Sequence, residues 1–276
     1  MRRILGDRLI ETTTLKPVDL TKLTPFGADK AKGIAGNLDL LMDRETKLLV
    51  MNAEFVLEQG PLEYLVVVKH PNAKTHETVT AVYPPPRDIC YALLACEYTY
   101  AGEVSDDGTI NLPREAGIMI SVEYEWEPVH AAMGDAPDAN AAAPASSGRK
   151  WVRVPIEFFA WNSQTEKTMK RSPFAFTGSK FERGVGGKMD FMADIEKSVV
   201  ATKFDAYALI NTLLDTKNVN PYHAAGYAIN RYDIPQRGTK CRVIFEPWSG
   251  GELTAKALKD TVEGKGNNPA PAPTQK

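Results

Sequence analysis

Residues 48–68 read LLVMNAEFVLEQGPLEYLVVV and hold two strand patterns separated by a break. Leu49, Met51, Ala53, Phe55 and Leu57 are apolar, while Asn52, Glu54 and Glu58 take the other parity. That period of two predicts a strand with one buried face over 48–58. Gly60-Pro61 interrupts it, and 62–68 is apolar almost throughout, as in a central strand. Towards the N-terminus, residues 38–43 form a partner strand across Arg44-Glu45-Thr46-Lys47, a run suited to a hairpin loop. Residues 1–36 are mixed and Thr/Lys-rich, and an irregular arm is expected there.

Towards the C-terminus, Tyr83-Pro84-Pro85-Pro86 leads into a helix over about 86–98. Prolines are tolerated in a first helical turn, Asp88 suits the positive end, and Gly102 lies past the expected stop. Its centre, ICYALLAC, is apolar all round, which predicts a buried helix. A clear alternation follows: Ile118, Ile120, Val122, Tyr124 and Trp126 face one way, and Ser121, Glu123, Glu125 and Glu127 the other. It stops at Glu127 and resumes at Lys150, with Val152, Val154, Ile156 and Phe158 on one parity. Between them, 128–148 contains fifteen Ala, Pro, Gly or Ser residues out of twenty-one, a low-complexity insertion. Two complementary strands interrupted in this way make one β-hairpin with a lengthened turn rather than a domain boundary.

Further strands are expected at 174–177, 189–193, 198–204 and 239–246, with a short helix at 206–214. Beyond Pro247, residues 248–276 read as a disordered tail, with a marginal helix over 252–262 and then GKGNNPAPAPTQK. The expected fold class is α+β and β-dominated. One domain over 37–247 forms a mostly antiparallel sheet or sandwich, packed on one buried helix, with a short second helix.

The 276 residues carry 43% hydrophobic and 25% charged side chains and a net charge of −2, which excludes fibrous and wholly disordered chains. A pI near 6.1 argues against a nucleic-acid partner. The longest apolar run, ICYALLAC, has eight residues, where a membrane span needs about 20. After Met1-Arg2-Arg3, charges at Asp7, Arg8 and Glu11 leave no apolar core for a secretory signal. Cys90, Cys96 and Cys241 form no C-x-x-C pair, and buried thiols are expected.

Residues 48–68, followed by Lys74-Thr75-His76-Glu77, resemble the signature of the YdjY-domain family, in which a strand runs into G-P-L-E and then K-x-H-E. The likeness continues through ICYALLAC, Trp161, FAFTGSKF at 174–181 and Ala193-Asp194. It closes on Ile234-Pro235-Gln236-Arg237-Gly238-Thr239. The resemblance covers about 37–247. It implies no established activity and no assigned catalytic residues. It does imply frequent export or envelope association, from which this chain departs by showing no signal. The insertion and the tail depart from the pattern as well.

Lys74-Thr75-His76-Glu77 is the foremost chemical candidate, since a histidine beside a carboxylate suits acid/base work or metal ligation. In an extended segment His76 and Glu77 point apart while Lys74 and His76 share a face, an arrangement for an anionic ligand. In a turn the side chains can converge. Glu63 can pair with Lys74, Asp194 can cap a turn or join a site, and His223 can meet His76 in space as a metal ligand. Ser179 follows Gly178, but G-x-S-x-G is absent. Gly184-Val185-Gly186-Gly187 joins two β-like runs and opens no helix, so no nucleotide cradle and no cofactor are expected. Two functions remain. One is a non-enzymatic binding or assembly module for an unknown protein or small-molecule ligand. The other is a small metal-dependent or acid/base enzyme using Lys74-Thr75-His76-Glu77 with Glu63 or Asp194.

Overall fold

The computed structural model describes residues 15–101, 112–126, 150–162, 165–212, 226–231 and 234–250. The front half contains β1 (Thr24–Phe26), β2 (Asn37–Asp43), β3 (Leu48–Phe55), β4 (Tyr64–Val68), β5 (Thr78–Val82), α1 (Pro86–Ala95) and β6 (Gly117–Trp126). Then follow β7 (Lys150–Pro155), β8 (Ala160–Asn162), β9 (Lys167–Thr168), β10 (Phe174–Phe176), β11 (Phe181–Arg183) and β12 (Met189–Phe191). The chain continues with α2 (Met192–Glu196), β13 (Ser198–Ala201), β14 (Ile210–Thr212), β15 (Tyr227–Ile229) and β16 (Lys240–Pro247).

The expected strand dominance and two helices are present, but the sheet is neither open nor a sandwich. It closes as an eight-stranded barrel in the order β3-β16-β6-β10-β14-β13-β4-β5 and back to β3. The physical reason lies in two long strands, β3 and β6. β3 gives one whole edge to β16 and divides the other, Leu48–Met51 pairing with β2 and Ala53–Phe55 with β5. β6 divides its second edge likewise between β10 and β7. β2 and β7 therefore peel away while shorter strands complete the ring. Closure removes the free edges that an open sheet would present. Two ring pairs, β4–β5 and β13–β14, are parallel, and the rest are antiparallel.

The alternation of β3, β6 and β16 is buried as read: Met51, Val243 and Val122 stand in one row, and Ala53, Cys241 and Tyr124 in the next. Phe55 meets Tyr124 and Phe159 edge-on, with ring centroids 5.4 and 5.2 Å apart. Helix α1 sends Ile89, Cys90, Ala92 and Leu93 into this core. Its other side is wet, Tyr91 being 55% and Leu94 39% exposed, so the helix is amphipathic rather than buried all round. All three cysteines are buried free thiols.

Two local expectations are corrected. The strand read over 189–193 forms only as β12, and its last two residues open the second helix, α2; the segment read as a helix at 206–214 yields β14. Ile210 and Thr212 are β-branched, and parallel pairing with β13 overrides the weak helical signal. The alternation read through Phe158 ends at Pro155, and residues 156–159 turn as a 3-10 helix instead. In the N-terminal arm, β1 joins β2, and Val18 N–H donates to Glu123. Trp248 stacks on Gly117, where a Cβ would lie 2.9 Å from its ring. The insertion at 128–148, with His130, and residues 251–276 of the tail lie outside the described residues.

Candidate functional site

The parallel pairing of β4 with β5 positions the candidate motif. Tyr64 is in register with Thr78, so the chain must return from the end of β4 to its beginning within residues 69–77. This crossover ends in a single 3-10 turn, Thr75–Glu77, which lies beside Glu63 and Tyr64. Glu63 N–H donates to the carbonyl of Glu77 at 3.0 Å. The parallel link from β13 to β14 then brings residues 202–205 to the same place, Thr202 N–H donating to the carbonyl of Glu63.

A polar cluster results on the outer wall of the barrel. Tyr64, 3% exposed, donates its hydroxyl proton to Asp205 Oδ2 at 2.8 Å and accepts from Lys74 Nζ at 2.9 Å. Lys74 also lies over the Tyr64 ring and 3.5 Å from Glu196. Glu63 pairs with Lys203 at 3.1 Å, not with Lys74 as anticipated. Burial first, and the Asp205 carboxylate second, push the Tyr64 hydroxyl far above its ordinary range, so it stays protonated. Glu77 is half-buried, and burial together with the charge of Glu63 raises its pKa. His76 is 78% exposed, and its Nε2 is 4.0 Å from Glu77 Oε2.

Lys74, Glu63 and Glu77 thus come together, with His76 on the outer rim. Asp194 does not join them. It accepts from the backbone N–H of Arg87 at 3.0 Å and pairs with that guanidinium, bracing the start of α1. His223 lies outside the described residues. Ser179 is occupied: its Oγ donates to the Tyr207 carbonyl at 2.7 Å and accepts from Ala193 N–H at 3.0 Å. Among the described residues, no group of three His, Cys, Asp or Glu side chains is placed to hold a metal ion.

Two features escaped the sequence reading. Glu157 is fully buried in the 3-10 turn after Pro155; its Oε1 accepts from Ser172 N–H at 3.3 Å and its Oε2 has no hydrogen-bond partner among the described residues. Burial pushes its pKa up to about 7. The signal was a lone carboxylate between Ile156 and Phe158, just past a proline. The second is the β11–β12 hairpin, which forms its own two-stranded sheet. Phe181 pairs with Phe191 and Arg183 with Met189, so these four share one face. Phe191 is buried, but Phe181 is 61% and Met189 53% exposed, and Val185 at the tip is fully exposed. Glycine makes the tip, with Gly186 and Gly187 both at φ +80°.

No protein-family model, curated protein or solved structure matches the chain.

Proposed function

We propose that the protein is a non-enzymatic binding module of the YdjY type whose docking element is the β11–β12 hairpin. The observation that carries this reading is the exposed apolar face formed by Phe181, Met189 and the tip residue Val185. Phe181 rests one side of its ring on Phe191, with centroids 5.1 Å apart, yet it, Met189 and Val185 keep most of their apolar surface in water, where it is suited to a partner's surface. The polar cluster adds support from the other direction. Its lysines, Tyr64 and Asp205 are engaged with one another, and its histidine faces solvent.

The test is a photo-crosslinking amino acid placed at Phe181 and, as a control, at the exposed Glu58, in cells expressing the full chain. The reading expects adducts at Phe181 and none at Glu58. Equal yields at the two positions would overturn it.

A second reading, acid/base or metal chemistry at Lys74-Thr75-His76-Glu77, is favoured by the raised pKa of Glu77 beside His76. Metal analysis of the purified protein with His76→Ala alongside tests its metal form. That form requires stoichiometric metal that the substitution removes.

A further inference from the structure

Resting on the reading of the hairpin as the docking element, we infer that its partner is an anionic lipid surface. Three features of the hairpin converge on that chemistry.

The first is the sorting of its charges. Glu182 pairs with Asp190 in register, on the face opposite Phe181, Arg183 and Met189. Glu182 is engaged there by Lys180 at 2.6 Å and by the Tyr207 hydroxyl at 3.2 Å. Asp190 is folded over the backbone of Gly184, where an added Cβ would lie 1.9 Å from its Oδ2. The acids are therefore turned away from the apolar face or tied within the protein. Arg183 stands on that face and Lys188 in the turn beside it, both exposed and neither with an acidic partner among the described residues.

The second is shape. The apolar side chains sit at a tip rather than across a broad plane. Val185 is the outermost, flanked along the hairpin by Phe181 and Met189. A protein interface of ordinary size needs about 800 Å² per partner, more than three side chains on a narrow hairpin supply. A headgroup layer requires no matching contour. It takes apolar side chains to shallow depth while cations beside them meet lipid phosphates and carboxylates.

The third is backbone. Gly184 N–H donates to the Lys188 carbonyl at 2.8 Å and Gly187 N–H to the Gly184 carbonyl at 3.1 Å. A tip whose donors are bonded internally in this way enters an interface at lower desolvation cost than an open loop.

The experiment is co-sedimentation of the full chain with vesicles of phosphatidylcholine alone or of phosphatidylcholine and phosphatidylserine in a two-to-one ratio. Binding is expected on the mixed vesicles only, and it should weaken as salt is raised. Val185→Asp should lower partitioning at least about tenfold with an unchanged melting temperature, its side chain being fully exposed. The double substitution Arg183→Glu, Lys188→Glu should reduce mixed-vesicle binding to the level on phosphatidylcholine alone. Failure to sediment with mixed vesicles, or sedimentation indifferent to Val185→Asp, would overturn the proposal. Protein adducts at Phe181 without vesicle binding would overturn the lipid partner while leaving the binding-module reading intact. Absence of both would remove the two together.

Discussion

Glu157 shows how much one buried side chain can impose. Buried in the turn with Phe158 and Phe159 and under the influence of the Arg171 charge, it has one oxygen bonded and one without a hydrogen-bond partner among the described residues. Its carboxyl holds a proton more tightly in the folded chain, with a pKa near 7 against an ordinary 4.5. The stability compatible with this residue is therefore complete below about pH 4.5, declines as the pH rises towards 7, and stays at its reduced level above. The loss amounts to about 3 kcal/mol at alkaline pH. Glu157→Gln should abolish the decline, so that urea denaturation at pH 5 and pH 8 gives a difference in the native protein that the substitution removes. The same pH slope in both proteins would contradict this account. At the outer wall, Tyr64→Phe removes the hydroxyl shared by Lys74 and Asp205. Both partners reach water, so a cost of only about 1–2 kcal/mol in denaturant unfolding is expected.

At the scale of elements, the parallel links matter most, because they deliver side chains rather than core. Asp205 is presented by Asn211, a fully buried residue of β14. Asn211 Oδ1 accepts from Asp205 N–H at 2.7 Å, and its Nδ2 donates to the Asp205 carbonyl at 3.0 Å and to Thr177 Oγ1 at 2.7 Å. Asn211→Ala should cost about 2–4 kcal/mol by leaving those groups without partners. It should also free the Asp205 amide, visible as its faster hydrogen exchange. Elements of this kind were the least legible in the sequence. β3, β6 and β16 announce themselves because each is eight or more residues long with apolar side chains alternating against polar ones, even where the polar ones, Glu54, Ser121 and Glu123, are buried as well. The prolines and Asp88 likewise mark α1. β10 and β14 are three residues long and β5 five, all buried on both faces, so no alternation marks them. The K-x-H-E motif stood out as chemistry, but its neighbours Tyr64, Asp205 and Lys203 are set by parallel register, which has no local signature. Pro155 could have warned that the ladder ends before Glu157.

Over the whole molecule, closure depends on Ala53, Glu54 and Phe55 finding β5. That pairing is non-local, and nothing in the strand patterns separates a barrel from a sandwich of the same elements. Once closed, the barrel is a filled core, and the β11–β12 hairpin, anchored on it through Phe191, keeps Phe181, Met189 and Val185 exposed to meet another surface. Native-state hydrogen exchange should follow this division, with slow amides in β3, β6 and β16 and amides of β11 and β12 opening at lower free energy. The central claim is that function resides in the hairpin and not in the Lys74–Glu77 turn. The most direct measurement is adduct yield from the photo-crosslinker at Phe181 in two backgrounds, His76→Ala with Glu77→Gln, and Met189→Asp. The account predicts an unchanged yield in the first and its loss in the second. Loss in the first with retention in the second would contradict it.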